Sequence, residues 1–352
     1  MIRPTIRPRV GIARLRDIAA LVALLLTSLV LPNAHAVTID WVTVGDPGNA
    51  ADTTTYGAVA DAFQIMKFEF TNQQYADFLN SVDADGNNPN SVYNASMGSN
   101  ARGGISFTSG AASGSKYAIR TNMGDKPVNF VSWFDAARVA NWLQNGQGSG
   151  STETGAYTLV GGQTSGTAPA ANPGASYLLP TEDQWYKAAY YKGGGTNAGY
   201  WDYATQSDST PTAVTAGSTG IGSAGLSSTD NSANFNSAAD WNSLNGNVTT
   251  VGSNGGASAY GAFDMSGNIF EWNDLDGTTG SSRGLRGGGW NYPIAVFLSS
   301  SFGGTNDPSG EDDRFGFRLA SPVPVPEPST WVMGLAGIAC GGWQMWRRRR
   351  AR

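Results

Sequence analysis

Two residue types that carry much of enzyme chemistry are almost absent from this chain. Its one histidine, His35, and its one cysteine, Cys340, sit near the two ends, and neither type occurs between them. Histidine is the usual general base near neutral pH, and thiolate is the usual soft ligand and nucleophile. Without them the body has no set of donors for zinc, copper or iron. What remains is oxygen, in carboxylates, amides, hydroxyls and backbone carbonyls, which suits hard cations such as calcium. Asp83-Ala-Asp85-Gly86-Asn87 opens like an EF-hand loop, but its twelfth position is Asn94 where a bidentate Glu is needed. A solvated acidic turn is the expectation there. Glu311-Asp312-Asp313 beside Arg314 reads as another solvated face. Paired carboxylates could run a glycosidase, but spacing singles out no pair.

The two ends read as targeting signals. Arg3, Arg7, Arg9, Arg14 and Arg16 precede an apolar run from Ile18 to Leu31, and Ala34-His35-Ala36 supplies a small-x-small cleavage site. Residues 1–36 are therefore expected to be a Sec-type signal peptide. The alternative is an uncleaved anchor, although the run falls short of the ~20 residues a span needs. At the other end Pro326-Glu327-Pro328 precedes an apolar stretch, 331–346, and then Arg347 to Arg350 and Arg352. This order over 321–352 resembles the PEP-CTERM sorting signal of Gram-negative bacteria, with 331–346 as a transmembrane segment. The alternative is a plain C-terminal anchor. The resemblance implies processing by signal peptidase and exosortase, transient anchoring, and release to the cell surface or extracellular matrix.

Charge separates the ends from the body. Between Val37 and Val325 stand 12 Lys and Arg against 25 Asp and Glu, a balance of −13. A body this acidic is not expected to bind nucleic acid through its phosphates. Glycine is 47 of 352 residues, about twice the usual ~7%, so much of the length must lie in turns. The aromatic content is nonetheless high enough for a core, and no disulfide is available to share the task.

Three helices carry their own start signals. Thr71-Asn-Gln-Gln74 reads as a capping box, with Tyr75, Phe78, Leu79 and Val82 at helical spacing. Ser132-Trp-Phe-Asp135 opens a second helix that should stop at Gly146, and Thr181-Glu-Asp-Gln184 opens a third after Pro180. Residues 63–70 and 248–251 read as short strands, and 145–175 and 193–230 as long surface loops. The fold class is α+β with much irregular structure.

Six segments, in order, resemble the formylglycine-generating enzyme (sulfatase-modifying factor) family. They are MKFEFTNQQYADFLNSV (66–82), KPVNFVSWFDAARVANWL (126–143), YLLPTEDQWYKAAYY (177–191), YGAFDMSGNIFEWNDL (260–275), LRGGGWN (285–291) and RFGFRLA (314–320). The resemblance implies an elaborated C-type-lectin-like α+β domain over 37–320. The family's named activity oxidises a sulfatase cysteine with copper held by two cysteines just after the Arg-Gly-Gly segment. Here that stretch is WNYPIAVFLSSSF (290–302), and the expected positions fall near Tyr292 and Phe297. Neither can hold copper(I), so the oxidase activity is not expected. The family's iron-dependent sulfoxide chemistry needs histidines that are missing too.

The resemblance also implies calcium sites. Matched residue by residue, Asp264 and Glu271 would give carboxylates while Gly267 and Ile269 give carbonyls. The same pattern suits a tight turn whose Glu271 pairs with a nearby arginine. A second site would draw on Asn234 and the carbonyl of Phe235, with Asp240 or the Asn245-Gly246-Asn247 turn as its remaining partner. Trp290 and Tyr292 follow three glycines and could line an open cleft for a sugar or peptide, or pack into the core. The function expected is a secreted, surface-sorted, calcium-stabilised module for a glycan, with exopolysaccharide first, or for a surface protein. The rivals are an enzyme modifying secreted proteins, a carboxylate hydrolase, or a purely structural matrix component.

Overall fold

The computed structural model describes residues 36–322. All of the expected signal peptide but its last residue, Ala36, lies outside them, as do the Pro-Glu-Pro triplet and the segment 331–346. No helix among the described residues is long and apolar enough to cross a membrane.

Each expected helix begins at its expected cap. In α1 (Asn72–Val82) the Thr71 side chain accepts from the Gln74 N–H, while the Gln74 side chain accepts from the Thr71 N–H at 2.9 Å. After the four-residue α2 (Ser96–Ser99) come α3 (Trp133–Gln144), capped reciprocally by Ser132 and Asp135, and α4 (Glu182–Tyr190), capped by Thr181 and Gln184. Each box satisfies two backbone donors that a helix start leaves unpaired.

The strands are short. β1 (Trp41–Val44), β2 (Phe63–Met66) and β11 (Ala320–Ser321) form one antiparallel sheet in the order β1-β2-β11. A second sheet has the order β10-β7-β8-β9, from Phe315–Phe317, Phe270–Asn273, Arg283–Arg286 and Gly304–Asn306. There β10 runs parallel to β7 and the other pairs are antiparallel. Two-stranded ribbons complete the set, β3 (Ile105–Phe107) with β4 (Tyr117–Ile119), and β5 (Thr212–Ala213) with β6 (Ser232–Ala233). The mixed helix and strand content agrees with the expected α+β class.

Two expectations fail for the same reason. Residues 248–251 form no strand, because side chains and distant loops take their backbone groups. The Thr249 N–H goes to Asn268 Oδ1 at 2.9 Å, and the Thr250 N–H goes to the Gly220 carbonyl at 2.8 Å. The stretch 145–175 is irregular as expected, yet it is not confined to the surface. Arg138 of α3 grips Glu153 at 2.8 Å, and Asn141 holds the Thr152 carbonyl at 2.6 Å and the Tyr157 N–H at 2.7 Å. Ala156, Tyr157, Leu159 and Ala168 are thereby drawn into the core.

The main core lies between α1, α3 and the second sheet. Phe78 meets Trp142 edge-on at 5.4 Å, and Trp133 meets Tyr157 at 5.2 Å. Asp274, just past β7, accepts from Trp133 Nε1 and from the Tyr157 hydroxyl, both at 2.7 Å, with Arg283 Nε at 3.3 Å. Burial pushes its carboxyl up to about 6 against the opposing pull of Tyr157, Arg283 and Trp133. A group raised in this way favours the folded state at low pH, and the advantage is lost as pH climbs through about 6. Its share of the stability lost between pH 4 and pH 8 is about 2 kcal/mol, since each tenfold change in proton affinity is worth ~1.4 kcal/mol. Urea unfolding at the two pH values should show the wild-type difference shrinking by about that amount in Asp274→Asn. An unchanged difference would show that Asp274 does not titrate there.

Candidate functional site

The segment between Tyr260 and Phe270 contains almost no regular structure, and its backbone turns explain why. Asp264, Gly267 and Asn268 all have left-handed conformations, with φ of 58°, 92° and 66°. A Cβ on Gly267 would come within 2.5 Å of the Asn234 carbonyl oxygen, so only glycine allows the two chains to meet. The Asn268 N–H closes that contact by donating to the Asn234 carbonyl at 2.8 Å.

Around this turn lies a buried polar network. Asn268 donates to Glu69 Oε2 at 2.7 Å and accepts at Oδ1 from the Thr249 N–H and from Asn234 Nδ2 at 3.1 Å. Thr249 Oγ1 donates to Asn254 Oδ1 at 2.6 Å, and Asn254 Nδ2 donates to Asp264 Oδ1 at 2.8 Å. The other Asp264 oxygen accepts from the Gly252 N–H. Glu271 receives Arg318 through two parallel bonds, Nε to Oε2 at 2.6 Å and Nη2 to Oε1 at 2.7 Å. Trp185 Nε1 adds a third at 2.8 Å.

The network holds three carboxyls, Glu69, Asp264 and Glu271, near one guanidinium. Burial, then the charges of Asp264 and Glu271, hold the Glu69 carboxyl well above its ordinary range. Burial also raises Asp264.

This geometry discriminates between the two calcium sets. In the first set both Glu271 oxygens face a guanidinium and both Asp264 oxygens accept N–H donors, so it does not fit a divalent cation. The pairing of Glu271 with an arginine is the arrangement observed. In the second set Asn234 Oδ1 is buried with no hydrogen-bond partner among the described residues. The Phe235 carbonyl accepts only a long 3.3 Å bond from Ala238, and Asp240 Oδ1 accepts from the Gly246 N–H at 2.8 Å. An orphaned acceptor of this kind fits an oxygen-seeking cation. Among the described residues no group of three or more His, Cys, Asp or Glu is placed to hold a metal ion.

Of the two outcomes open to it, a cleft wall or the core, Trp290 takes the core. Its ring is 4% exposed and packs in the cluster of Met123, Trp241, Val248 and Ile269. Arg102 covers it at 4.1 Å and is itself tied to the carbonyls of Asn245 and Gly246. Tyr292 is half-buried, with its ring 4.5 Å from Phe297 and 5.0 Å from Phe270. Phe297 in turn lies 4.8 Å from Phe302. Tyr292 and Phe297 are thus brought together, and packed rings surround them. The Asp83 turn is structural: its carboxylate accepts from the Asn87 and Asn88 N–H groups and from the Tyr117 hydroxyl.

Two residues central to this network, Arg318 and Asn268, were given no role by the sequence alone. Arg318 had one visible signal, an ionised side chain between Phe317 and Leu319 in an otherwise apolar stretch. Such an arginine can be buried only against an acid.

A small α+β domain rich in turns, with a buried carboxylate–arginine network under a Gly-Asn turn, is the class of protein this site defines. Residues 42–323 match the family described as the sulfatase-modifying factor enzyme 1-like domain, and the chain belongs to that family. Among solved structures, Treponema denticola variable protein 1 is 19% identical with a TM-score of 0.48, over 83% of this chain and 98% of that one. The crystal structure of CarF is 23% identical with a TM-score of 0.48, over 82% and 99%. PvdO from Pseudomonas aeruginosa is 18% identical with a TM-score of 0.39, over 82% and 93%. No curated protein matches the chain.

Breaking the ion pair on one side leaves a charge stranded in the interior. Arg318→Met should cost about 3–5 kcal/mol in urea unfolding, and adding Glu271→Gln should recover part of that loss. A single variant within about 1 kcal/mol of wild type would show that the pair is not structural.

Proposed function

We propose that this chain is a secreted, surface-sorted binding module that uses the sulfatase-modifying-factor fold as a scaffold without copper chemistry. The observation that carries the reading is the packed group of Tyr292, Phe297, Phe270 and Phe302. It fills the place where the family resemblance puts a pair of thiols. Aromatic rings give copper(I) no thiolate or thioether donor. The family scaffold is kept while the residues of its named reaction are replaced by apolar surface.

Calcium, in this proposal, has a structural role at the second set. Asn234 Oδ1, the Phe235 carbonyl and Asp240 would hold it, and the ion would supply the partner that Asn234 lacks. The ligand proposed first is an extracellular glycan, with a surface protein as the second choice. The support for a glycan is the resemblance of the C-terminal segment to a sorting signal associated with exopolysaccharide production. A sequence with 25 acidic residues against 12 basic ones in its body also suits a soluble extracellular module.

The full-length protein should bind the producing organism's own exopolysaccharide saturably and lose thermal stability when EDTA removes calcium. It should leave a cysteine-containing sulfatase-motif peptide unchanged in the presence of copper. Copper-dependent conversion of that peptide would overturn the proposal. A melting temperature unmoved by EDTA would remove calcium from it.

A further inference from the structure

A cavity of about 460 Å³ opens at the tip of the β7–β8 hairpin, the end remote from Tyr292 and Phe297. Its wall is shared by three parts of the chain: Tyr56 from the N-terminal loop, the first turn of α4, and the hairpin connection. A volume of this size lies in the ~300–1,000 Å³ range of small-molecule sites.

The polar groups in the wall divide into those already satisfied and those still available. Glu182 is spent on Arg286 and on Asn273 Nδ2 at 2.6 Å. Arg283 is spent on the carbonyls of Ala168, Pro169 and Ser282 and on Asp274. The wall therefore offers no uncommitted cation, which argues against a phosphate, sulfate or carboxylate ligand. Asp183 uses one oxygen on the Gly57 N–H at 2.8 Å, and Asp276 uses one on the Thr278 N–H and hydroxyl at 3.0 and 2.7 Å. Among the described residues no other residue donates to the second oxygen of either, and the Ser281, Ser282 and Tyr56 hydroxyls bond to no other residue. Those contacts with Thr278 also hold the Asp276 carboxyl below its ordinary range, so it is ionised at neutral pH.

Tyr56 gives the cavity an aromatic edge. It is 40% exposed, yet it is not loose: the Arg286 guanidinium sits 5.1 Å over its ring, and Tyr186 meets it at 5.9 Å. An exposed ring held in place loses little entropy when something stacks on it. An apolar face next to hydrogen-bond acceptors and two-way hydroxyls suits a ligand with C–H bonds on its face and O–H or N–H groups at its edge.

We propose that this cavity is a sugar-binding subsite for a pyranose ring of a neutral or amine-bearing glycan. Tyr56 stacks on the ring face, Asp183 and Asp276 accept from its hydroxyl or amine groups, and Ser281 and Ser282 complete the edge. The proposal rests on the binding-module reading above and locates its ligand site.

The test uses the full-length protein on immobilised maltohexaose, N-acetylglucosamine hexamer, glucosamine hexamer and alginate hexamer, with oligolysine as a competitor. Binding to at least one of the first three and none to alginate is expected. Asp183→Asn, Asp276→Asn and Tyr56→Ala should each weaken it about tenfold or more, with thermal melts unchanged. Should Tyr56→Ala fail to fold, Asp276→Asn changes an exposed carboxyl while keeping the oxygen that accepts from Thr278, and it decides the matter alone. Glycan binding that all folded variants retain would overturn the subsite while leaving the binding-module reading intact. No binding to any neutral or amine-bearing glycan, the organism's exopolysaccharide included, would overturn both the subsite and the glycan as the module's ligand. Binding of alginate alone, or of oligolysine in place of sugars, would overturn the ligand class.

Discussion

The pair of Arg318 and Glu271 is the constraint on which the rest of the domain depends. Both side chains are fully buried, and the guanidinium also donates to the Met66 carbonyl at 3.1 Å and the Phe263 carbonyl at 2.8 Å. One residue thus joins β7, the segment that follows β10, the end of β2 and the loop that turns at Asp264. Taking two charges out of water is expensive, and a hydrophobic pair of equal volume could match or exceed the stability gained. What the ionic pair adds is direction. A guanidinium donates its N–H bonds only in its own plane, so the oxygens around it must converge from fixed angles. That favours one arrangement of irregular loops which apolar contacts alone would define poorly.

A chain with so little ladder must satisfy its backbone by other means, and buried asparagines carry much of that task. Asn141 ties a long loop to α3, and Asn268 joins three loops. Asn273 accepts from the Leu275 N–H at 2.9 Å while its amide serves Glu182. Each places an acceptor and two donors where a strand would otherwise supply them. The cost is close contact. A Cβ on Gly284 would lie 2.0 Å from Asn273 Oδ1, so the strand opposite has a glycine where a β-branched residue would ordinarily favour the sheet.

What the sequence disclosed follows the range of the interactions involved. The helix starts at Thr71, Ser132 and Thr181 were legible because a capping box is complete within four residues. Glu271 was legible as a carboxylate with a charged partner, and pairing with an arginine was one of the two outcomes its pattern allowed. The choice between them required Arg318, 47 residues away, and nothing in local spacing selects one arginine over another. The strand expected at 248–251 failed for a related reason. Its apolar and β-branched residues suit a strand, but the groups that take its N–H bonds, Asn268 and Gly220, are distant in sequence. Trp290 shows the same limit. Three glycines before it left an open cleft and core packing equally open, and the choice rests on Arg102, from a distant part of the chain, which closes over the ring.

The arrangement of the second sheet links these observations to function. At one end of β7 and β8, Phe270 and Tyr292 belong to a packed aromatic group where the family resemblance expects reactive thiols. At the other end the same two strands hold Asn273, Arg283 and Arg286, whose charges and amide are committed to neighbours. The same strands lead to the hairpin tip, where Asp276 and Ser281 line the cavity together with the exposed ring of Tyr56. A site whose supporting charges are neutralised internally can meet a ligand without first releasing them, which lowers the reorganisation that binding requires. The two ends share a scaffold but no residues, and change at one need not disturb the other.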